Sequence, residues 1–102
     1  MARQSEEVRR ISKLLYGNKL RLEIGAAIAR AEPGLVFARG LGGELGVPDS
    51  MVHEELKKLA QAGILSMHPR PTGQQIQYYE RLPSPFWDGC RALVEHLRTS
   101  TR

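Results

Sequence analysis

Leu41–Leu65 reads LGGELGVPDSMVHEELKKLAQAGIL, and its punctuation decides the fold. Val52, Leu56 and Leu59 recur at spacings of four and three, the inward stripe of a helix over residues 49–62. Gly63 stops that helix as a C-terminal cap. Just upstream, Ala38–Leu45 (ARGLGGEL) reads as a short helix weakened by three glycines and closed by Gly46. Two helices joined this tightly need a small residue where they cross, and Gly42 fits. The turn needs a residue tolerant of positive φ, and Gly46 supplies it. Val47 follows the turn, Leu41 and Leu45 anchor the first helix, and Pro48 holds a favoured first-turn position. Asp49 or Ser50 is expected to cap the second helix.

Working outward, Ile64–His68 and Gln75–Arg81 read as two strands, with PRPTGQ over 69–74 as the turn between them. Before the helix pair, Leu35-Val36-Phe37 is a short extended piece placed to pair with that hairpin. Upstream of Pro33-Gly34 lies a helix with Leu20, Leu22, Ile24, Ala27 and Ile28 on its apolar side. It is preceded by the turn signal Gly17-Asn18 and an amphipathic helix over 3–16 bearing Val8, Ile11, Leu14 and Leu15. Pro83 to Pro85 breaks the chain, and a last helix over 85–98 carries Phe86, Trp87, Cys90, Leu93, Val94 and Leu97. The expected class is mainly α (α+β): one winged helix-turn-helix domain over 1–102, with a two-stranded hairpin wing and a C-terminal helix.

With 102 residues the chain supports one domain and a modest core. No apolar run is long enough to cross a membrane, and MARQSEEVRR lacks the apolar core of a signal peptide, so a cytoplasmic location is expected. A single cysteine, Cys90, excludes an internal disulfide, and its apolar neighbours point to a buried structural role rather than a redox sensor. The net charge of +4 suggests an anionic partner, but the excess is unevenly placed. Residues 1–30 hold seven Lys/Arg against three Glu, whereas residues 31–70 hold four against five carboxylates. No Gly-rich phosphate loop, paired acids, nucleophile motif or HExxH-type spacing is present, so neither an enzyme nor a metal or cofactor site is expected.

LYGNKLRLEI, then Leu41–Leu65, then a Gly-tipped hairpin ending in Tyr78-Tyr79, together resemble the ArsR-like winged-helix repressors and, more loosely, the MarR-like ones, over about Leu14 to Tyr79. The resemblance implies that the second helix of the motif lies in the DNA major groove. It also implies that the wing touches flanking backbone or minor groove, and that the terminal helices form a homodimer. Two departures stand out. The Cys-x-Cys pair of that family's metal sensors is missing, with only His53, His68, His96 and Cys90 scattered over different elements. Glu54 and Glu55 stand where members often carry uncharged polar residues or His.

The candidate DNA-binding residues are Ser50, Met51, His53 and Glu54 at base edges, with Lys57 and Lys58 near phosphates. On the wing, Arg70 is placed against phosphate or the minor groove, positioned by Thr72, Gln74 and Gln75. The same residues allow a plainer reading: Asp49 favoured by the helix dipole, Glu54 paired with Lys58 four residues on, and an ordinary solvated face and hairpin tip. Arg9, Arg10, Lys13, Lys19 and Arg21 form a candidate phosphate-contacting rim, or simply a soluble surface. Ile11, Leu14, Leu15, Phe86, Trp87, Leu93, Val94 and Leu97 are expected at a homodimer interface, or else inside a monomer core. The competing functional class is a protein-interaction adaptor whose acidic face over Asp49–Glu55 docks a basic partner.

Overall fold

The computed structural model describes residues 2–100, with side chains from Glu6 to Thr99. Among these residues lie five helices: α1 (Ala2–Tyr16), α2 (Arg21–Arg30), α3 (Ala38–Leu45), α4 (Asp49–Gln61) and α5 (Pro85–Ser100). Three short strands, β1 (Leu35–Val36), β2 (Leu65–Met67) and β3 (Tyr79–Arg81), make one antiparallel sheet in the order β1-β3-β2. The result is a mainly helical α+β chain. No described helix is long and apolar enough to cross a membrane. The chain divides into two compact units, one holding the described residues up to Arg30 with those from Pro85 onward, the other Ala31–Ser84.

In the helical unit, Val8, Leu22, Ala26, Cys90, Val94 and Leu97 form the buried core, with Ile11, Tyr16, Phe86 and Leu93 packed against it. α2 and α5 approach closely because Gly25 has no side chain: a Cβ there would fall 2.6 Å from Cys90 Sγ. The α1–α2 corner is held by two small polar residues. Gly17 takes the left-handed conformation at φ 72°, and the Asn18 side chain accepts from Leu20 N–H (2.9 Å) and Arg21 N–H (3.0 Å), capping α2. Ser12, fully buried, donates to the Asn18 carbonyl (2.6 Å) and accepts from Leu22 N–H (3.0 Å).

The apolar face of α1 is therefore phased differently from the expectation. Val8 and Ser12 point inward, while Leu14 and Leu15 are 69% and 60% exposed. The candidate interface residues separate accordingly. Trp87, Val94 and Leu97 are buried within the chain itself, so they do not offer an outward surface. Ile11, Phe86 and Leu93 are half-buried, and Leu14 and Leu15 remain outside. The candidate basic rim is also partly neutralised, since Arg9 pairs with Glu23 and Arg10 with Glu7. The Arg10 guanidinium, hydrogen-bonded to Glu7, holds that carboxyl below its ordinary range.

In the second unit β3 is the central strand: Leu35 and Val36 oppose Glu80 and Tyr79, and Leu65, Ser66 and Met67 oppose Arg81, Glu80 and Tyr79. The expected pairing of the short extended piece with the hairpin is thus present, although the piece ends at Val36. The second hairpin strand is much shorter than Gln75–Arg81, since only Tyr79–Arg81 is laddered. Arg81 fixes the near end of the sheet through Nη1 to the Ala31 carbonyl (3.0 Å) and N–H to the Gly34 carbonyl (2.7 Å).

Candidate functional site

The α3–α4 pair is built on contact that only glycine allows. A Cβ on Gly42 would lie 2.7 Å from Asp49 Oδ1 and 2.9 Å from the Val47 carbonyl oxygen. Gly46 turns the chain at φ 70°, and both Gly46 and Val47 donate to the Gly42 carbonyl, at 2.9 and 3.1 Å. α4 then starts from Pro48, whose carbonyl accepts from Met51 (3.1 Å) and Val52 (3.3 Å). Pro48 is itself the N-cap, and no side chain caps the helix, so the capping expected of Asp49 or Ser50 is not made. Asp49 lies within the first turn, where the helix dipole still favours its charge. At the far end, Gly63 at φ 85° donates to the Ala60 carbonyl and Ile64 to the Leu59 carbonyl. These two bonds are the paired closure of a Schellman cap.

α4 buries Val52, Glu55, Leu56 and Leu59. Glu55 is only 2% exposed, so it does not belong to the outward face. The reason is geometric. Position 55 is three residues after Val52 and four before Leu59, inside the stripe those residues define. Ser50, Met51, His53, Glu54, Lys57 and Lys58 are all exposed. Glu54 and Lys58 do not pair: among the described residues no ion pair or hydrogen bond involves either side chain. With Glu55 inside, the exposed carboxylates of α4 are Asp49 in its first turn and Glu54, which stands among two lysines and a histidine.

The β2–β3 connection leaves the sheet through a single backbone bond, His68 N–H to the Tyr78 carbonyl (2.9 Å). Beyond it the Gln77 side chain replaces the ladder, donating to the His68 (2.7 Å) and Tyr78 (3.0 Å) carbonyls. His68 Nε2 also meets Glu80 Oε1 across the strands at 2.8 Å. The tip is a turn with Gln74 N–H on the Pro71 carbonyl (2.9 Å) and Gly73 at φ 88° in the position that favours glycine. Arg70, Thr72 and Gln74 are exposed there.

An open cleft of about 470 Å³ lies between the hairpin and the starts of α3 and α4. It brings together three of the residues picked from sequence, Ser50, His53 and Arg70. It also brings in Arg39, which sequence reasoning did not single out, because its neighbourhood to Arg70 is created only by folding. Met51, Glu54, Lys57, Lys58, Thr72 and Gln74 are exposed outside that lining. Phe37 meets Tyr78 edge-on with ring centroids 5.4 Å apart, bracing the α3 start against the hairpin root. No group of three or more His, Cys, Asp or Glu placed to hold a metal occurs among the described residues. Chemically, the face offers cations, hydrogen-bond donors and the carboxylates of Asp49 and Glu54 to an extended partner. No protein-family model matches the chain, and no curated protein matches it either.

Proposed function

We propose that this protein is a DNA-binding transcriptional regulator, with Ala31–Ser84 serving as a winged helix-turn-helix. α4 would enter the major groove, the hairpin over 69–75 would act as the wing, and a cytoplasmic homodimer would repress from a palindromic operator. The observation that carries this reading is the inward turn of Glu55. It leaves Lys57, Lys58 and His53 exposed beside Glu54, with the other exposed carboxylate, Asp49, confined to the first turn of α4. That charge pattern suits a helix approaching phosphates, with Glu54 free to accept from a cytosine amino group. The adaptor alternative rests on an acidic face that has lost one of its three carboxylates to the interior. Exposed Leu14 and Leu15 supply apolar surface for the second copy.

The test is duplex binding across a salt series, with random DNA and the DNA upstream of the protein's own gene, beside Arg70→Ala and Lys57→Ala/Lys58→Ala. Salt-dependent binding that weakens in both variants supports the DNA reader. No binding at low salt ends that reading and returns attention to a basic protein partner.

A further inference from the structure

We infer that the cleft between the hairpin and the starts of α3 and α4 is a seat for a phosphate ester gripped jointly by Arg39 and Arg70, an inference that rests on the DNA-reading proposal and sharpens it. The two arginines come from different elements, Arg39 from the first turn of α3 and Arg70 from the hairpin, yet they line one cleft. Both are exposed, and among the described residues neither side chain makes an ion pair or hydrogen bond. They contrast with Arg9 and Arg10, which are held by Glu23 and Glu7, and with Arg81, which is tied to the Ala31 carbonyl. A guanidinium presents a planar fork of donors that matches phosphate oxygens, and two forks at one cleft repel each other until an anion comes between them.

The rest of the lining fits the same ligand. Ser50 and His53 add a hydroxyl and a ring N–H at the start of α4. The one carboxylate in the lining, Asp49, has its Oδ1 turned toward Gly42. Phe37 and Ile76 give an apolar surface on which a sugar or base can rest. At about 470 Å³ the cleft falls in the size range of small-ligand sites rather than of a lone ion. The shared chemistry is a phosphate ester, and its two sources are the backbone of duplex DNA and a free nucleotide.

Two measurements separate those sources. In the first, duplex affinity is followed against salt for the wild type, Arg39→Ala, Arg70→Ala and the double variant. Removing one phosphate contact should reduce the slope of log affinity on log salt by about 0.9, so the advantage of the wild type over Arg39→Ala shrinks about 3-fold between 50 and 200 mM salt. Because both arginines hold one group, the double variant should lose less than the product of the single losses. A wild-type protein that binds duplex while Arg39→Ala matches it in slope and affinity removes DNA as the source of the phosphate, leaves the DNA reading standing and, without AMP shifts, overturns the seat.

In the second, AMP and adenosine are titrated into the full chain and backbone amide shifts are recorded. Shifts at Ser50, His53 and Ile76 with AMP, absent with adenosine and lost in Arg39→Ala, support the seat even where duplex binding fails, and then assign it to a free nucleotide. No AMP shifts together with an unchanged duplex slope, or equal shifts with adenosine, overturn it. Absence of both AMP shifts and duplex binding by the wild type overturns the seat and the DNA reading together.

Discussion

Gly42 and Asp49 are packed so closely that one methyl group on the former would sit 2.7 Å from a carboxylate oxygen of the latter. The same methyl would press at 2.9 Å on the Val47 carbonyl, which is backbone and cannot swing aside. Gly42→Ala should therefore lower stability by about 1–3 kcal/mol, as overpacking does. Urea denaturation should show the midpoint falling, and adding Asp49→Ala should recover only part of the loss. Full recovery by the second substitution would mean that the side chain, not the turn backbone, is the obstacle.

Glu54 and Glu55 are adjacent in sequence and opposite in burial, which makes them a matched pair of probes. Glu55 is held inside with a partner, so Glu55→Ala should cost roughly 1–3 kcal/mol by leaving that partner unsatisfied. Glu54→Ala should stay within about 0.5 kcal/mol in stability. If Glu54→Ala proves as damaging to the thermal midpoint as Glu55→Ala, the assignment of the two faces of α4 is wrong.

Ser12 joins α1 to the start of α2 through one hydroxyl that both donates and accepts. Ser12→Ala removes both bonds and leaves the Leu22 N–H without that partner in the interior, at a cost of about 1–3 kcal/mol. Hydrogen exchange at Leu22 reports this directly, since its amide should lose protection while α4 amides keep theirs.

Tyr79 is 1% exposed, and among the described residues its hydroxyl has no hydrogen-bond partner. Burial pushes its pKa up, and burial with the neighbouring Cys90 does the same for Tyr16. The folded state thus holds these protons more tightly than the unfolded state. Their contribution is fully present below the unfolded tyrosine value, about 10, and is lost as pH climbs from there through the raised folded value. Tyr79→Phe should stabilise the chain at neutral pH by about 1 kcal/mol or more, by removing a buried group that has no partner. It should also soften the alkaline fall. Thermal melts between pH 7 and 11 check both, and a lower midpoint at pH 7 would count against an unpartnered hydroxyl.

Leu14 and Leu15 are exposed leucines whose loss leaves the described core intact. Leu14→Glu/Leu15→Glu should leave the far-ultraviolet circular dichroism unchanged while shifting sedimentation from dimer to monomer. A variant that sediments like the wild type would remove α1 from the proposed interface.

The helix pair was legible because its constraints are local and steric. Gly42, Gly46 and Gly63 each stand where a side chain or a negative φ would fail, and Val52, Leu56 and Leu59 keep a fixed period between them. What escaped the sequence was set by longer-range circumstance. Gln75–Arg81 alternates well enough to read as a strand, yet Gln77 spends its amide on the His68 and Tyr78 carbonyls and the ladder stops at Tyr79. Glu55 carries a charge that reads as surface, although the helix phase places it inside. Ser12 faces inward where the spacing predicts Leu14 and Leu15, because a hydroxyl satisfies the corner's backbone and a leucine cannot. Within the candidate site, the α4 residues followed from its stripe, whereas the meeting of Arg39 with Arg70 depends on the hairpin folding back toward the start of α3.

β3 is the shared neighbour of both other strands, and this sets an order on folding. Val36 finds its partner at Tyr79 only after about 40 intervening residues have been brought into a closed loop, an entropic cost that local helix contacts do not carry. α3 and α4, linked by a turn of a few residues, and the β2–β3 hairpin can form before that closure, so the joining of β1 to β3 is the non-local step. A three-residue strand is thus the clasp of this unit: loosening it would release β1 and β2 together while leaving the helix pair its own contacts.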